Sequence, residues 1–518
     1  MATQTRYITT AIVYPNSRIH VGWAWECLGA DWMARVSRAF GDDVFFVSGM
    51  DEHSLNVERK AVAQGLSPKQ YCDQMATDIK GVLEGVGITY DRFIRTSDED
   101  HHRVVTELIQ RSFKKGDIYR AKYDGHYCES CEAFYTEKDL VDGLCPQHKK
   151  PTAWITEENY FFKLTKYEAA LKELFKSNPE FLEPENRRNE ILAVLDGGLR
   201  DFSISRSNFS WGIPLPFGKG EVIYVWFDAL INYLTAAGFG APGADGKKFD
   251  ERWRNVLHII GKDITRFHCI YWPAMLMSME LPVPKRVFAH GFIQLKGEKM
   301  SKSLGTMVTP DEVIAVTGAD PFRYFMLAEN PFSKDGNFSW EALVEKTNAD
   351  LSNSLGNLFN RTLNMALKYF PENEWQMPKV TAVSEEIKRS FEQLLPALAE
   401  TVDRVSPSDY IAFCQERVRL MNLFIDREKP WTLAKTMETS PETKARLYEG
   451  LFALLEGSRW LATVLEPVLP FKIVSAFSQL GVPALTGAGA FKKLHWGEAR
   501  FQPQKPEPIY PRIELPKV

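Results

Sequence analysis

The chain has 518 residues, which at roughly 100–200 residues per domain points to several domains. Hydrophobic residues at 44% and charged residues at 25% exclude a disordered, collagenous or coiled-coil protein. With 67 acidic against 63 basic groups, the net charge of −4 argues against non-specific DNA binding and confines any nucleic-acid contact to a local patch.

The first residues, MATQTRYITT, lack the basic and apolar regions of a secretory leader. Residues 7–14 are rich in β-branched and aromatic types and predict a strand. A loop, PNSRIHVG, leads into a predicted helix over 23–40; a strand over 43–48, a loop GMDEHS and a helix from Leu55 follow. This alternation predicts a parallel α/β sheet, with the chemistry in the polar loops at the carboxyl ends of its strands. Residues 118–165 break the pattern and read as a small inserted domain, and 166–200 read as mostly helical. The longest apolar run, 222–240, contains Asp228 and Asn232. An Asp in lipid would cost about 3 kcal/mol, so the run reads as a buried strand entering a helix, and no membrane association is expected. The α/β pattern resumes there and continues through NVLHIIGKD and RVFAHGFIQLKG; beyond 318 the apolar spacing is helical throughout. The Pro-rich final residues predict an extended tail. The division expected is catalytic α/β domain in two halves (1–117 and 206–305), insert (118–205), junction (306–350), helical domain (351–500) and tail (501–518).

Seven cysteines in so long a chain do not form a disulfide scaffold and predict a reducing, cytoplasmic setting. Four residues stand apart. Cys128-x2-Cys131 is followed, after thirteen residues, by Cys145-x2-His148. Two such pairs can close a tetrahedral Cys3His zinc site; with all four positions filled by protein, the zinc would be structural. Cys27, Cys72, Cys269 and Cys414 read as small apolar residues.

Two loops suggest nucleotide chemistry. His20-Val21-Gly22-Trp23 lies between a strand and a helix, where Gly22 permits close backbone approach and the helix N-terminus attracts phosphate. Lys299-Met300-Ser301-Lys302-Ser303 places two lysines three apart, able to stabilise charge on a pyrophosphate leaving group.

With both loops in hand, the chain resembles the methionyl-tRNA synthetases, class I enzymes with a His-x-Gly-His and a Lys-Met-Ser-Lys-Ser loop, over about residues 5 to 515. Further matching segments are Gly49-x-Asp51-Glu52-His53, Ile204-Ser205-Arg206, Tyr224 to Ala229, Gly261-Lys262-Asp263-Ile264, Ala289-His290-Gly291, Asn353, Gly356-Asn357, Arg361 and Pro430-Trp431. The resemblance implies a Rossmann-type catalytic domain with a single-knuckle zinc insert, followed by an α-helical anticodon-binding domain. It implies methionine activation by ATP to the adenylate, then transfer to the terminal ribose of tRNA(Met). Ile12, Tyr14, Asp51, Trp226, Ala229, Leu230, Tyr233, Ile264 and His290 would bind methionine, with Asp51 pairing the α-ammonium group. His20, Gly22, Asp263, Lys299, Ser301 and Lys302 would bind ATP with Mg2+, and His20, Gly22, Trp23, Lys299 and Lys302 would serve catalysis. Asn357, Arg361, Pro430 and Trp431 would read the anticodon; Cys128, Cys131, Cys145 and His148 would hold one structural Zn2+. A monomer is expected, with no DNA partner.

Three positions depart from the family pattern: Trp23 where the second histidine of the first loop stands, Ser17 where glycine is common, and Ser54 after Asp-Glu-His. His53 and Asn16 are candidate donors to replace the histidine. The competing reading is a catalytically altered paralogue that binds tRNA or passes an activated amino acid to a non-tRNA acceptor.

Overall fold

The computed structural model describes residues 3–515, apart from 129–132, 136, 138–139, 147–148, 208–209, 296–297, 300–306 and 372–373. At 123–124, 133–135, 156–157 and 298–299 it describes the backbone alone.

Six parallel strands form the main sheet: β1 (Thr5–Thr10), β2 (Asp43–Met50), β3 (Arg92–Arg95), β4 (Leu182–Glu183), β5 (Val256–Gly261) and β6 (Arg286–His290). Their order is β3-β2-β1-β5-β6-β4. Segments such as VLHIIG are buried almost throughout, as parallel strands covered on both faces require. The chain builds outward from β1 on one side and later resumes at β5 on the other. Strand order therefore reverses between β1 and β5, and loops leaving the two strands diverge to open a crevice there.

The first strand is shorter than its composition predicts. It ends at Thr10, and residues 11–14 peel away to lie beside the end of β2, with the Val13 amide donating to Gly49 O (3.0 Å) and the Asp51 amide to Val13 O (2.9 Å). Gly49 makes that approach possible: a Cβ there would stand 2.2 Å from Ile94 O and 2.9 Å from Ile12 Cγ2. Helix α1 (Val21–Phe40) then crosses the sheet, buried along most of its length, and stops at Gly41. With φ at 86°, Gly41 takes the left-handed turn that lets its own amide and that of Asp42 close on Arg38 O and Ser37 O. Helices α2 (Leu55–Ala63), α3 (Pro68–Gly85) and α4 (Glu99–Lys114) complete the first half.

The insert is a four-stranded antiparallel sheet, in the order Ala133–Tyr135, Ile118–Cys128, Ala153–Phe162, Phe202–Ser203. Helices Glu168–Ser177 and Glu185–Asp196 follow as the composition predicts. Between them, however, β4 returns to the main sheet and pairs with β6 through Leu182 and Val287. The stretch read as a separate insert thus supplies an edge strand of the catalytic sheet, two residues long and without a periodicity to betray it. The run at 222–240 behaves as expected: Val222–Ile223 pairs with Ser205–Arg206 and enters helix Val225–Leu230. No described helix is long and apolar enough to cross a membrane.

Beyond 318 the one named strand among the described residues is Gly336–Phe338, which pairs parallel with Ile293–Leu295. Helices Asn357–Tyr369, Ala382–Glu392, Leu394–Asp403, Pro407–Glu428 and Pro441–Leu465 form the bundle, with the last buried almost continuously from Leu447 on. The tail is extended but docked. Phe501 exchanges backbone bonds with Trp375, the Tyr510 hydroxyl donates to Asp320 (3.0 Å), and the Ile513 amide donates to Asn348 (2.9 Å).

Candidate active site

A cleft of about 480 Å³ opens at the strand-order reversal. Its walls come from the loop after β1 (Ala11 to His20), the start of α1 (Gly22, Trp23, Glu26), the turn after β5 (Gly261, Asp263, Ile264) and the segment after β6 (His290 to Ile293). Of the residues singled out from the sequence, it brings together Ile12, Tyr14, His20, Gly22, Trp23, Asp263, Ile264 and His290.

His20 is the N-cap of α1. Its Nδ1 accepts from the amides of Gly22 (3.1 Å) and Trp23 (3.4 Å). An accepting Nδ1 leaves the ring proton on Nε2, so the cap itself selects the donor tautomer. No acidic residue lies in the first turn of α1, so its positive end is not neutralised locally. Trp23 contributes differently from the histidine it replaces. Its ring lines the cleft, but the indole Nε1 is buried with no hydrogen-bond partner among the described residues. It presents apolar surface where a donor was expected. His53 does not replace that donor either: it is buried, its Nδ1 lies 2.6 Å from Asp228, and it is not among the cleft walls. Asn16 does reach the cleft. Ser54 has a local role, capping α2 by accepting from the Val57 amide (3.2 Å).

His290 is fixed between two oxygens, with Nδ1 2.6 Å from Gly291 O and Nε2 2.8 Å from Glu26. Glu26 also accepts from the Ala11 amide (2.8 Å). Burial pushes the Glu26 carboxyl up, and the His290 contact only partly offsets it. Neither Glu26 nor Arg18, both on the cleft wall, was singled out from sequence; the signal for Glu26 is an acid among the apolar residues that begin a buried helix.

Trp226, Ala229, Leu230, Tyr233 and Asp51 are not on the cleft wall. Trp226 stacks flat on Phe267, with centroids 3.7 Å apart. Ala229, Leu230 and Tyr233 are buried. The Tyr233 hydroxyl lies 2.8 Å from His268 Nε2, while His268 Nδ1 faces Ile264 O at 3.2 Å. Burial lowers His268 to about 4, so the ring is neutral at pH 7: Nδ1–H donates to Ile264 and Nε2 accepts from Tyr233. This chain ties Tyr233 to the turn that carries Ile264. Asp51 is buried beside Val13. Behind it, Asp228 bridges His53 and His101 at 2.6 and 2.7 Å; burial alone would raise its carboxyl, but the two imidazoles hold it well below the usual carboxylate range. Arg206 is buried over the Tyr224 ring and bonded to Ser203 and Ser205 O; Lys262 is paired with Asp335 at 2.7 Å.

For the lysine loop, strand Glu298–Lys299 hairpins back onto Ile293–Leu295, next to the cleft wall. Ser301 and Lys302 lie outside the described residues, as do Cys131 and His148 of the zinc set. Cys128 and Cys145 are buried, and the Lys149 amide donates to the Cys145 carbonyl (2.8 Å). Two buried thiols, one of them at a strand end, are of the donor type that a structural zinc site uses. The other four cysteines are buried and unbridged, as small apolar residues would be.

In the helical domain, Asn353 and Asn357 are exposed, and Arg361, one turn beyond Asn357, is paired with Asp426 at 3.0 Å. Pro430 is buried, whereas Trp431 is 43% exposed. An exposed tryptophan after a left-handed residue, Lys429 (φ 46°), is a surface feature, not a core anchor.

A doubly wound sheet, a nucleotide-sized cleft at its reversal and a histidine-capped helix facing it define a class, and comparison with known proteins agrees. The model of the family "tRNA synthetases class I (M)" matches residues 6–156 and 148–363, and the chain belongs to that family. Within it, the relatives are methionine–tRNA ligases. That of Caldanaerobacter subterraneus subsp. tengcongensis is 40% identical over 517 residues, covering 99% of this chain and 80% of the relative. That of Thermosynechococcus vestitus is 40% identical over 98% of both chains. The structure of Mycobacterium tuberculosis methionyl-tRNA synthetase in complex with methionyl-adenylate superposes with a TM-score of 0.92 at 37% identity, covering 98% of this chain and all of the other. The free form of that enzyme gives 0.84.

Proposed function

We propose that the chain is a working methionine–tRNA ligase: it activates L-methionine with ATP and transfers the methionyl group to tRNA(Met). The observation that carries this reading is the cleft itself, where the His20 ring, Gly22 and the open end of α1 face Asp263 and Ile264 across the reversal of the sheet.

In the first step the methionine carboxylate attacks the α-phosphorus of ATP and pyrophosphate leaves. The protein need supply no nucleophile; its work is positioning and charge stabilisation. His20 donates from Nε2 to phosphate oxygens, and Gly22 leaves room for the nucleotide against the backbone. Asp263, exposed at the cleft, accepts from the ribose. Lys299, Ser301 and Lys302 hold the pyrophosphate end. With His20 and the lysines holding the phosphates, a Mg2+ ion accompanying ATP would supply further neutralising charge. Methionine lies against Ile12, Tyr14, Ile264 and His290, with Trp226, Ala229, Leu230 and Tyr233 behind them as the wall that ligand binding exposes, and Asp51 as the ammonium partner. Soft apolar and aromatic surfaces suit an uncharged thioether. In the second step the terminal ribose hydroxyl of tRNA attacks the adenylate carbonyl and AMP leaves.

Asn357, Arg361, Pro430 and Trp431 form the anticodon surface. Stacking of a loop base on exposed Trp431 would contribute about 1–3 kcal/mol. Cys128, Cys131, Cys145 and His148 would hold one Zn2+, which folds the knuckle and takes no part in the chemistry. The protein acts as a monomer in the cytoplasm.

Methionine-dependent ATP–pyrophosphate exchange and charging of tRNA(Met) test the reading. Exchange selective for methionine, together with charging, is the expected result. A wild type without exchange that gains it on Trp23→His would replace this reading with a tRNA-binding paralogue whose first loop is disabled, a possibility raised by the buried Trp23 Nε1.

A further inference from the structure

Apart from the lysine loop, one cationic Lys or Arg side chain stands on the described wall of the cleft. Besides the two imidazoles, it carries the acids Glu26 and Asp263 and a single Lys or Arg side chain, Arg18. Arg18 is exposed and has no hydrogen bond or ion pair among the described residues. Two nearby bases are committed: Lys262 to Asp335 and Lys60 to Asn16 O.

Position adds to chemistry. Arg18 also lines an adjoining hollow of about 610 Å³, with Asn16, Lys60 and Thr309 on its wall. The Val21 amide donates to Val308 O (3.0 Å), which fastens the chain leaving the lysine loop to the first residue of α1. Arg18 thus stands three residues before that junction, where the chain from the lysine loop rejoins the fold, and lines the same cleft as Asp263. Next to it, Trp23 offers only apolar surface.

We infer that Arg18 is a catalytic residue of this chain: its guanidinium grips the β- and γ-phosphates of ATP and stabilises the departing pyrophosphate, supplying the charge that Trp23 cannot. A planar cation with several donors is suited to phosphate oxygens. No covalent step is added; the α–β phosphoanhydride breaks as before and Arg18 keeps its proton. The inference rests on the ligase reading above.

The test is ATP–pyrophosphate exchange by wild type, Arg18→Ala and Arg18→Lys, with binding of a methionyl sulfamoyl-adenosine, which mimics the adenylate but lacks the β- and γ-phosphates. Loss of charge-assisted bonds in Arg18→Ala should raise KM for both ATP and pyrophosphate by about tenfold to a hundredfold. KM for methionine and affinity for the analogue should not change, and Arg18→Lys should recover part of the loss. An exposed side chain leaves the fold intact, which the thermal unfolding midpoint checks. Unchanged ATP and pyrophosphate kinetics, analogue affinity falling in parallel with ATP, or a defect confined to tRNA charging would each overturn the inference while sparing the ligase reading. A wild type with no exchange would overturn both, and is seen before any substitution is made.

Discussion

At His20, one ring both caps α1 and faces the cleft, because its Nδ1 accepts from the Gly22 and Trp23 amides and the proton is left on Nε2. The two contributions separate by substitution. His20→Asn keeps a capping acceptor but withdraws the Nε2 donor, so exchange should fall by about a hundredfold to a thousandfold with little change in thermal midpoint. His20→Ala should lose the cap as well, at a further cost of about 1 kcal/mol of stability. Asp228 makes a separate prediction. Its folded pKa is depressed, so its ionised form stabilises the fold; that contribution is complete above the ordinary Asp value of about 3.9 and is lost as pH falls below it. Removing its charge breaks contacts to two buried imidazoles, and Asp228→Asn should be less stable at neutral pH by about 3–5 kcal/mol. The gap from wild type should narrow as denaturation is repeated at progressively more acid pH, since protonated wild type loses the same contribution.

Among the elements, α1 both lines the cleft and supplies much of the packing, and it shows what a sequence can and cannot declare. Its start was legible because a histidine and a glycine between a strand and a helix are local signals. Its inward faces were not: Glu26 meets His290, 264 residues away, and only the folded sheet brings them within 2.8 Å. The same holds for β4, whose two residues join the main sheet by tertiary pairing alone, and for Tyr233, which His268 ties to Ile264. Trp23 shows the converse limit, since composition credits tryptophan with a donor and only packing determines where that donor ends up. At this scale Gly49 is the sharpest test. A methyl there meets Ile94 O and Ile12, both rigidly held, so Gly49→Ala should push the 11–14 segment off β2. A stability loss of about 1–3 kcal/mol is expected, with KM for methionine raised because Ile12 and Tyr14 move with the segment.

Across the whole molecule, a buried polar hub joins the catalytic half to the bundle. Arg323 is fully buried and donates to Asp31 on α1 (2.7 Å), to Val86 O (2.9 Å) and to Pro467 O and Val468 O (2.9 and 3.0 Å). Arg35 adds bonds to Asp31 and Glu466 at 2.9 and 3.2 Å. Burial would raise the Asp31 carboxyl, but the two guanidinium groups keep it ionised and below the usual range. Truncating Arg323 to Ala leaves Asp31 with Arg35 as its one guanidinium partner and takes the donor from three buried carbonyls, and should cost about 3–5 kcal/mol, read as a lower denaturation midpoint. Arg323→Lys should recover only part, since an ammonium group cannot reach four acceptors in the fan a guanidinium spans.

The docked tail has a consequence for how the chain would be cut. Between Phe501 and Ile509, both buried, most of the intervening residues are exposed. A protease nicking this strap would sever the covalent chain while Tyr510 stayed on Asp320 and Ile513 on Asn348. The clipped molecule should therefore run as one species under native conditions and shed its short C-terminal peptide only in denaturant.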